Sequence, residues 1–142
     1  IVLLNESGTV KNNETSFLNA TKILIVEDNT INMLLAKTLV KKLIPNGTIY
    51  EASNGTEAIE QFKNNQLDLI LMDVQMPIKN GYEASTEIRT LENKNRVPII
   101  ALTAGIMLGE KEKCLEVGMD DFLSKPILQN ELEAVLKKWL KI

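Results

Sequence analysis

The chain has 142 residues, 44% hydrophobic content and a formal net charge of −3, the profile of one globular domain able to bury a core. With 16 Lys and Arg against 19 Asp and Glu it lacks the basic excess of an electrostatic nucleic-acid binder, and no apolar run approaches the roughly 18 residues of a membrane span. Histidine is absent and Cys114 is the single cysteine, which excludes Ser-His-Asp and Cys-His nucleophile systems, most zinc sites and an internal disulfide, and makes a reducing compartment the expectation.

Residues 5–20 are rich in Asn, Ser, Thr and Glu with little periodicity and read as a linker. Residues 1–20 are therefore assigned as a leader and 21–142 as the ordered domain. Ile1 to Leu4 lack the charged flank of a signal peptide, and the chain reads as a piece of a longer protein. The first apolar run, Ile23-Leu24-Ile25-Val26, predicts a buried strand. Asp28-Asn29 can cap a helix carrying Ile31, Leu34, Leu35, Leu39 and Leu43 on one face, and Pro45-Asn46-Gly47 ends it. A second strand follows over Thr48 to Ala52, then a helix with Ala58, Ile59 and Phe62 inward. The third strand runs through Leu69-Ile70-Leu71-Met72 to Asp73, and Met76-Pro77 and Asn80-Gly81 form the next loop. A helix with Ala84, Ile88 and Leu91 inward leads through Asn93-Lys94-Asn95 to the fourth strand, Pro98 to Thr103. A weaker helix is expected from about Met107 to Val117, with Gly118 at its left-handed end. After a fifth strand around Phe122-Leu123, the residues Leu132, Val135, Leu136, Trp139 and Leu140 form the cleanest helical stripe.

Five strands alternating with five helices imply right-handed crossovers and an α/β, doubly wound parallel sheet with helices on both faces. In such a sheet chemistry gathers beyond the carboxyl ends of the strands. One rim would then hold Glu27, Asp28, Asp73, Thr103 and Lys125: three carboxylates, a hydroxyl and an ammonium. Each has an ordinary structural use. Asp73 can bond its own turn, Glu27-Asp28 can serve as an N-cap pair, Thr103 can cap the next helix and Lys125 can sit in a solvated loop. Three acids together repel unless a cation sits among them, and Mg²⁺ favours carboxylate, carbonyl and water oxygens. Lys125 and Thr103 offer the cation and short donor needed beside the oxygens of a transferring phosphoryl group. Asp120-Asp121 precedes a strand, so it belongs at the opposite rim, where a solvated turn is expected. Neither a GxGxxG nor a GxxxxGK[ST] pattern is present.

The series Ile25-Val26-Glu27-Asp28-Asn29, Leu71-Met72-Asp73-Val74-Gln75-Met76-Pro77, Asn80-Gly81-Tyr82-Glu83, Ala101-Leu102-Thr103-Ala104 and Gly118 to Pro126 makes residues 22–141 resemble a receiver domain of the two-component response-regulator family. The resemblance implies a flavodoxin-like sheet of order 2-1-3-4-5, which comes with the family and not from this chain's pattern. It also implies Asp73 as the phosphoacceptor. Asp28, Asp73 and the backbone carbonyl of Gln75 would hold Mg²⁺, with Glu27 acting through a metal-bound water. Thr103 and Lys125 would contact the phosphoryl oxygens, and Phe122 would occupy the aromatic switch position. Phe where Tyr is also common removes a hydroxyl and leaves switching to ring packing.

The wording of Met72 to Pro77, with Asn29, Asn32 and Gly118-Met119-Asp120-Asp121, is especially similar to receivers attached to hybrid sensor histidine kinases; Lys79-Asn80-Gly81 departs mildly from the more usual Asp-Gly. The implied partners are a histidine kinase and a histidine-containing phosphotransfer domain, with no nucleic acid and no direct membrane contact. The implied setting is cytoplasmic, and the parent a hybrid histidine kinase, often membrane-bound. This chain alone would be no enzyme beyond assisting its own phosphorylation and dephosphorylation. The alternatives are a stand-alone response regulator and a haloacid-dehalogenase-like phosphatase. The latter class uses a second Asp two residues after its nucleophile, where this chain has Gln75.

Overall fold

The computed structural model describes residues 21–93, 95–105 and 109–141. The leader, Lys94 and the expected start of the fourth helix at Met107 lie outside the described residues. Strands and helices alternate: β1 (Lys22–Val26), α1 (Thr30–Leu43), β2 (Thr48–Ala52), α2 (Gly55–Asn64), β3 (Leu69–Asp73), α3 (Gly81–Leu91), β4 (Ile99–Thr103), α4 (Glu110–Glu116), β5 (Asp121–Ser124) and α5 (Gln129–Leu140). One sheet runs in the order β2-β1-β3-β4-β5, parallel at every pairing, as expected. The order reverses between β1 and β3, which opens a crevice above their carboxyl ends.

Every residue of β3 and β4 is buried, which is why these strands read as continuous apolar runs. Alternate residues feed two cores, because successive side chains point to opposite faces. Leu24, Val26, Ile70, Met72, Ile99 and Ala101 pack with Ala58, Ile59, Ala84, Ile88 and Cys114 from α2, α3 and α4. Ile23, Ile25, Leu69, Leu71, Ile100 and Leu102 pack with Ala36 and Val40 of α1 and Leu132, Val135, Leu136 and Leu140 of α5. Three helices begin on an asparagine. Asn29, Asn54 and Asn80 accept from the backbone N–H of Asn32, Glu57 and Glu83, each satisfying an amide that the helix leaves free.

Gly81 starts α3 directly against the end of β3. A Cβ there would lie 2.9 Å from Val74 Cα and closer still to the Asp73 carbonyl oxygen. Neither neighbour is a flexible side chain, so Gly81→Ala should cost roughly 1–3 kcal/mol or more and displace the Asp73 backbone. A urea melt of the variant beside the wild type measures this; an unchanged midpoint would show that the loop yields freely.

Several expectations require correction. In α1, Ala36 and Val40 are buried with Met33, Leu39 and Leu43 beside them, while Ile31, Leu34 and Leu35 are 76%, 63% and 37% exposed. The first half of this helix carries apolar residues on more than one face, so two stripes fit a 3.6-residue period, and the buried one is centred on Ala36 and Val40. Leu91, expected inward, is the last residue of α3 and is exposed. Asp120-Asp121 does lie at the opposite rim but is not a solvated turn. Asp120 accepts from Arg89 Nη2 at 2.7 Å, Arg96 Nη2 at 2.9 Å and Ile99 N at 2.9 Å, and Asp121 accepts from Trp139 Nε1 at 2.8 Å. Thr103 does not cap α4, whose N-cap is Gly109.

Candidate functional site

At the crevice above β1, β3, β4 and β5, the strand ends bring the predicted groups together. Asp73 closes β3 and is 2% exposed; Glu27 follows β1 and is 3% exposed; Thr103 closes β4 and is fully buried. Asp28 stands beside them, open to solvent. Single carboxylate oxygens of Glu27, Asp28 and Asp73 all lie within 4.8 Å of one another. Lys125 follows β5, and its backbone N–H donates to Thr103 O at 2.7 Å, tying the ammonium's strand to the hydroxyl's strand. Lys125 Nζ lies 3.0 Å from Asp73 Oδ2 and 3.2 Å from Glu27 Oε1.

The remaining oxygens are held or left open in a definite pattern. Glu27 Oε2 accepts from Asn29 N at 3.1 Å, and Asp73 Oδ1 accepts from Gln75 N at 3.2 Å. Asp73 Oδ2 is held only by the Lys125 ammonium, 3.0 Å away. Thr103 Oγ1 has no hydrogen-bond partner. Buried polar atoms are nearly always satisfied, so the unpartnered Thr103 hydroxyl, at the same strand-end rim as an Asp73 oxygen held only by Lys125, marks where a ligand's atoms belong. Three carboxylates against one ammonium leave the site net negative. The donor set therefore suits a hard divalent cation together with a phosphoryl group.

Electrostatics agree with that reading. Burial pushes the Asp73 carboxyl up to about 6, helped by the charge of Glu27 and opposed by the contact with Lys125. Burial works against the Lys125 ammonium, yet Asp73 and Glu27 together hold it above the usual lysine range. For Asp73 the folded value exceeds the unfolded one of about 3.9, so the folded state binds the extra proton between those values. Stability from this group is therefore present at low pH and is lost as pH rises through about 6. Asp73→Asn should accordingly stabilise the domain in chelator at neutral pH by about 1–2 kcal/mol, a gain that shrinks toward pH 4. Urea denaturation across that range measures it, and a destabilised variant at neutral pH would contradict the sign.

The structure thus gathers Glu27, Asp28, Asp73, Thr103 and Lys125, with Gln75 beside Asp73 through its N–H. Phe122 is not in this cluster. It stands lower on β5, paired in register with Ala101 and packed against the α2–α4 core. Sequence reasoning missed the contact of Lys125 with Glu27, which depends on where β5 ends and has no local signal.

A family model described as the response regulator receiver domain matches residues 23–137. The chain is 46% identical over 132 residues to hybrid signal transduction histidine kinase B of Dictyostelium discoideum, a match covering 84% of this chain and 7% of that protein. It is 40% identical over 123 residues to the sensor protein GacS of Pseudomonas syringae pv. syringae, covering 84% of this chain and 13% of the relative. The chain therefore spans only a small part of these curated relatives. Among solved structures, the receiver domain of sensor histidine kinase PA1611 from Pseudomonas aeruginosa PAO1, with a magnesium ion coordinated in its active-site cleft, superposes with a TM-score of 0.78 at 38% identity, covering 87% of this chain and 99% of that one. The receiver domain of Ssk1 from Saccharomyces cerevisiae, crystallised with the histidine phosphotransfer protein Ypd1, gives 0.78 at 33% identity, with coverage of 84% and 88%.

Proposed function

The chain belongs to the response regulator receiver family, and on that premise we propose that it serves a phosphorelay by taking a phosphoryl group from a histidine on another domain onto Asp73. The observation that carries the residue assignment is the buried Asp73 carboxylate at the end of β3, paired with Lys125 and grouped with Glu27 and Asp28. In the transfer, an Asp73 oxygen forms the new O–P bond while the N–P bond of the donor breaks and the imidazole nitrogen keeps that electron pair. The acyl phosphate carries roughly one more negative charge than the carboxylate. Lys125 is placed to balance it, and Thr103 Oγ1 is free to donate to a phosphoryl oxygen. Asp28, Asp73 and the Gln75 carbonyl would hold Mg²⁺, with Glu27 through a water; when bound, the ion supplies charge stabilisation to the transferring group. The magnesium in the PA1611 receiver supports that choice of ion.

On this reading residues 21–142 are the receiver and residues 1–20 its tether in a hybrid histidine kinase. The relatives' names and greater lengths support that parent. The chain itself does no more than assist its own phosphorylation and dephosphorylation, in the cytoplasm. Among the described residues no helix is long and apolar enough to cross a membrane. A haloacid-dehalogenase-like phosphatase fits poorly: Gln75 stands where that class needs an acid, and it has no acidic proton to give.

The partner on this reading is a histidine-containing phosphotransfer bundle or the kinase domain of the parent. It docks at the start of α1, where Asn32 is flanked by exposed Ile31 and Leu35 beside the charged rim. The Ypd1–Ssk1 receiver complex supports a partner of that kind. Asn32→Glu should slow transfer from a phosphorylated bundle about tenfold, while phosphorylation by a small-molecule donor stays near the wild-type rate. Equal losses in both assays would place the defect in the site or the fold and overturn the docking edge.

A further inference from the structure

We propose that Lys111 is a positioning residue for Phe122, holding its ring in the present orientation through a cation–π contact, so that a charge on α4 sets the balance of the switch. The inference rests on the reading of Phe122 as the ring that turns when Asp73 is phosphorylated. Lys111 Nζ lies 5.6 Å from the centroid of the Phe122 ring, within the distance at which an ammonium is attracted by an aromatic face. The ring is only partly buried, packed against the edge of the α2–α4 core. Its register partner on β4 is Ala101, whose side chain is only a methyl group. Two residues further along the same face stands Thr103, with its hydroxyl unpartnered. On this proposal a turn of the ring toward Thr103 breaks the Lys111 contact.

The helix that bears Lys111 is poorly anchored by apolar burial. It spans seven residues and buries only Cys114. A second lysine–aromatic contact, Lys113 Nζ 5.5 Å from the Tyr82 ring, joins it to α3. In so lightly buried an element, contacts of this kind are a sizeable share of what seats it. Phe in place of Tyr does not leave switching to packing alone, because the ring face has a charged partner.

The test uses the full chain with fluorinated phenylalanine, reading the Phe122 resonance by ¹⁹F NMR during titration with beryllofluoride and Mg²⁺; loss of a peak in Phe122→Leu assigns it. In the wild type the Phe122 resonance moves on saturation. Lys111→Met removes the charge at similar length and should raise the apparent beryllofluoride affinity about 2–5-fold, the factor an exposed cation–π contact corresponds to. Lys111→Arg keeps a cation and should stay at the wild-type affinity. Lys113→Met loosens the same helix without touching Phe122 and should also leave the affinity unchanged. An unchanged affinity in Lys111→Met, or an equal gain in Lys113→Met, would overturn the role of Lys111 while leaving the switch reading intact. A Phe122 resonance that stays still in the wild type would overturn both.

Discussion

Asp73→Asn should abolish phosphoryl acceptance while leaving the domain folded. The side chain is nearly isosteric and keeps an oxygen that can accept from Gln75 N, so the loop after β3 loses no geometry. It lacks the anionic oxygen that attacks phosphorus. Neither an imidazole, a thiol nor the Thr103 hydroxyl can take over that role. The chain has no histidine, Cys114 is buried with its thiol pushed up by that burial, and Thr103 has no neighbouring base. The variant is also expected to be more stable than the wild type in the absence of metal, because burial holds the Asp73 carboxyl at about 6. Loss of function with a gain of stability separates a missing nucleophile from a damaged fold, and it is the pattern that sites holding like charges show. Intact mass after incubation with a small-molecule phosphodonor and Mg²⁺ reads the first effect. A variant that still gains one phosphoryl mass would remove Asp73 from its role.

Asp28→Ala should have the next largest effect, on metal binding. Asp28 is the exposed member of the three-carboxylate group, so its removal opens no cavity and costs little stability. Its loss leaves two carboxylates, both already in contact with Lys125. Removing a partner that only orients a ligand costs 10–100-fold in metal affinity, so loss of a direct ligand should cost at least about tenfold. Titration calorimetry with Mg²⁺ measures that loss. Thermal melting adds a second readout, since an ion bound only by the folded state stabilises it by mass action. The variant should need about tenfold more Mg²⁺ for the same rise in midpoint, and chelation should suppress phosphorylation of both proteins. Equal Mg²⁺ affinities would move the ion away from Asp28.

The rim was legible in the sequence because each of its groups directly follows a buried apolar run. A parallel sheet brings the carboxyl ends of such runs together whatever lies between them. Glu27, Asp73, Thr103 and Lys125 could thus be placed near one another from strand ends alone. What stayed hidden depended on side chains that meet across long separations. The inward face of α1 is ambiguous in sequence because Ile31, Leu34 and Leu35 have the same period as the buried set around Ala36 and Val40. Asp120 resembled a solvated acid because its partners, Arg89 and Arg96, come from α3 and the segment before β4. The contact of Lys111 with Phe122 joins a lysine in the first turn of α4 to a strand eleven residues on, where no periodicity connects them.

Trapping the acyl phosphate chemically tests most directly whether Asp73 is the phosphoacceptor. The full chain, phosphorylated by a small-molecule donor in Mg²⁺, is reduced with borohydride, which converts an aspartyl phosphate to homoserine, and the peptides are sequenced by mass spectrometry. Homoserine is expected at position 73 and at no other aspartate, with none formed when Mg²⁺ is chelated. Homoserine at Asp28, or a stable phosphoryl group on Thr103 with Asp73 intact, would contradict that assignment.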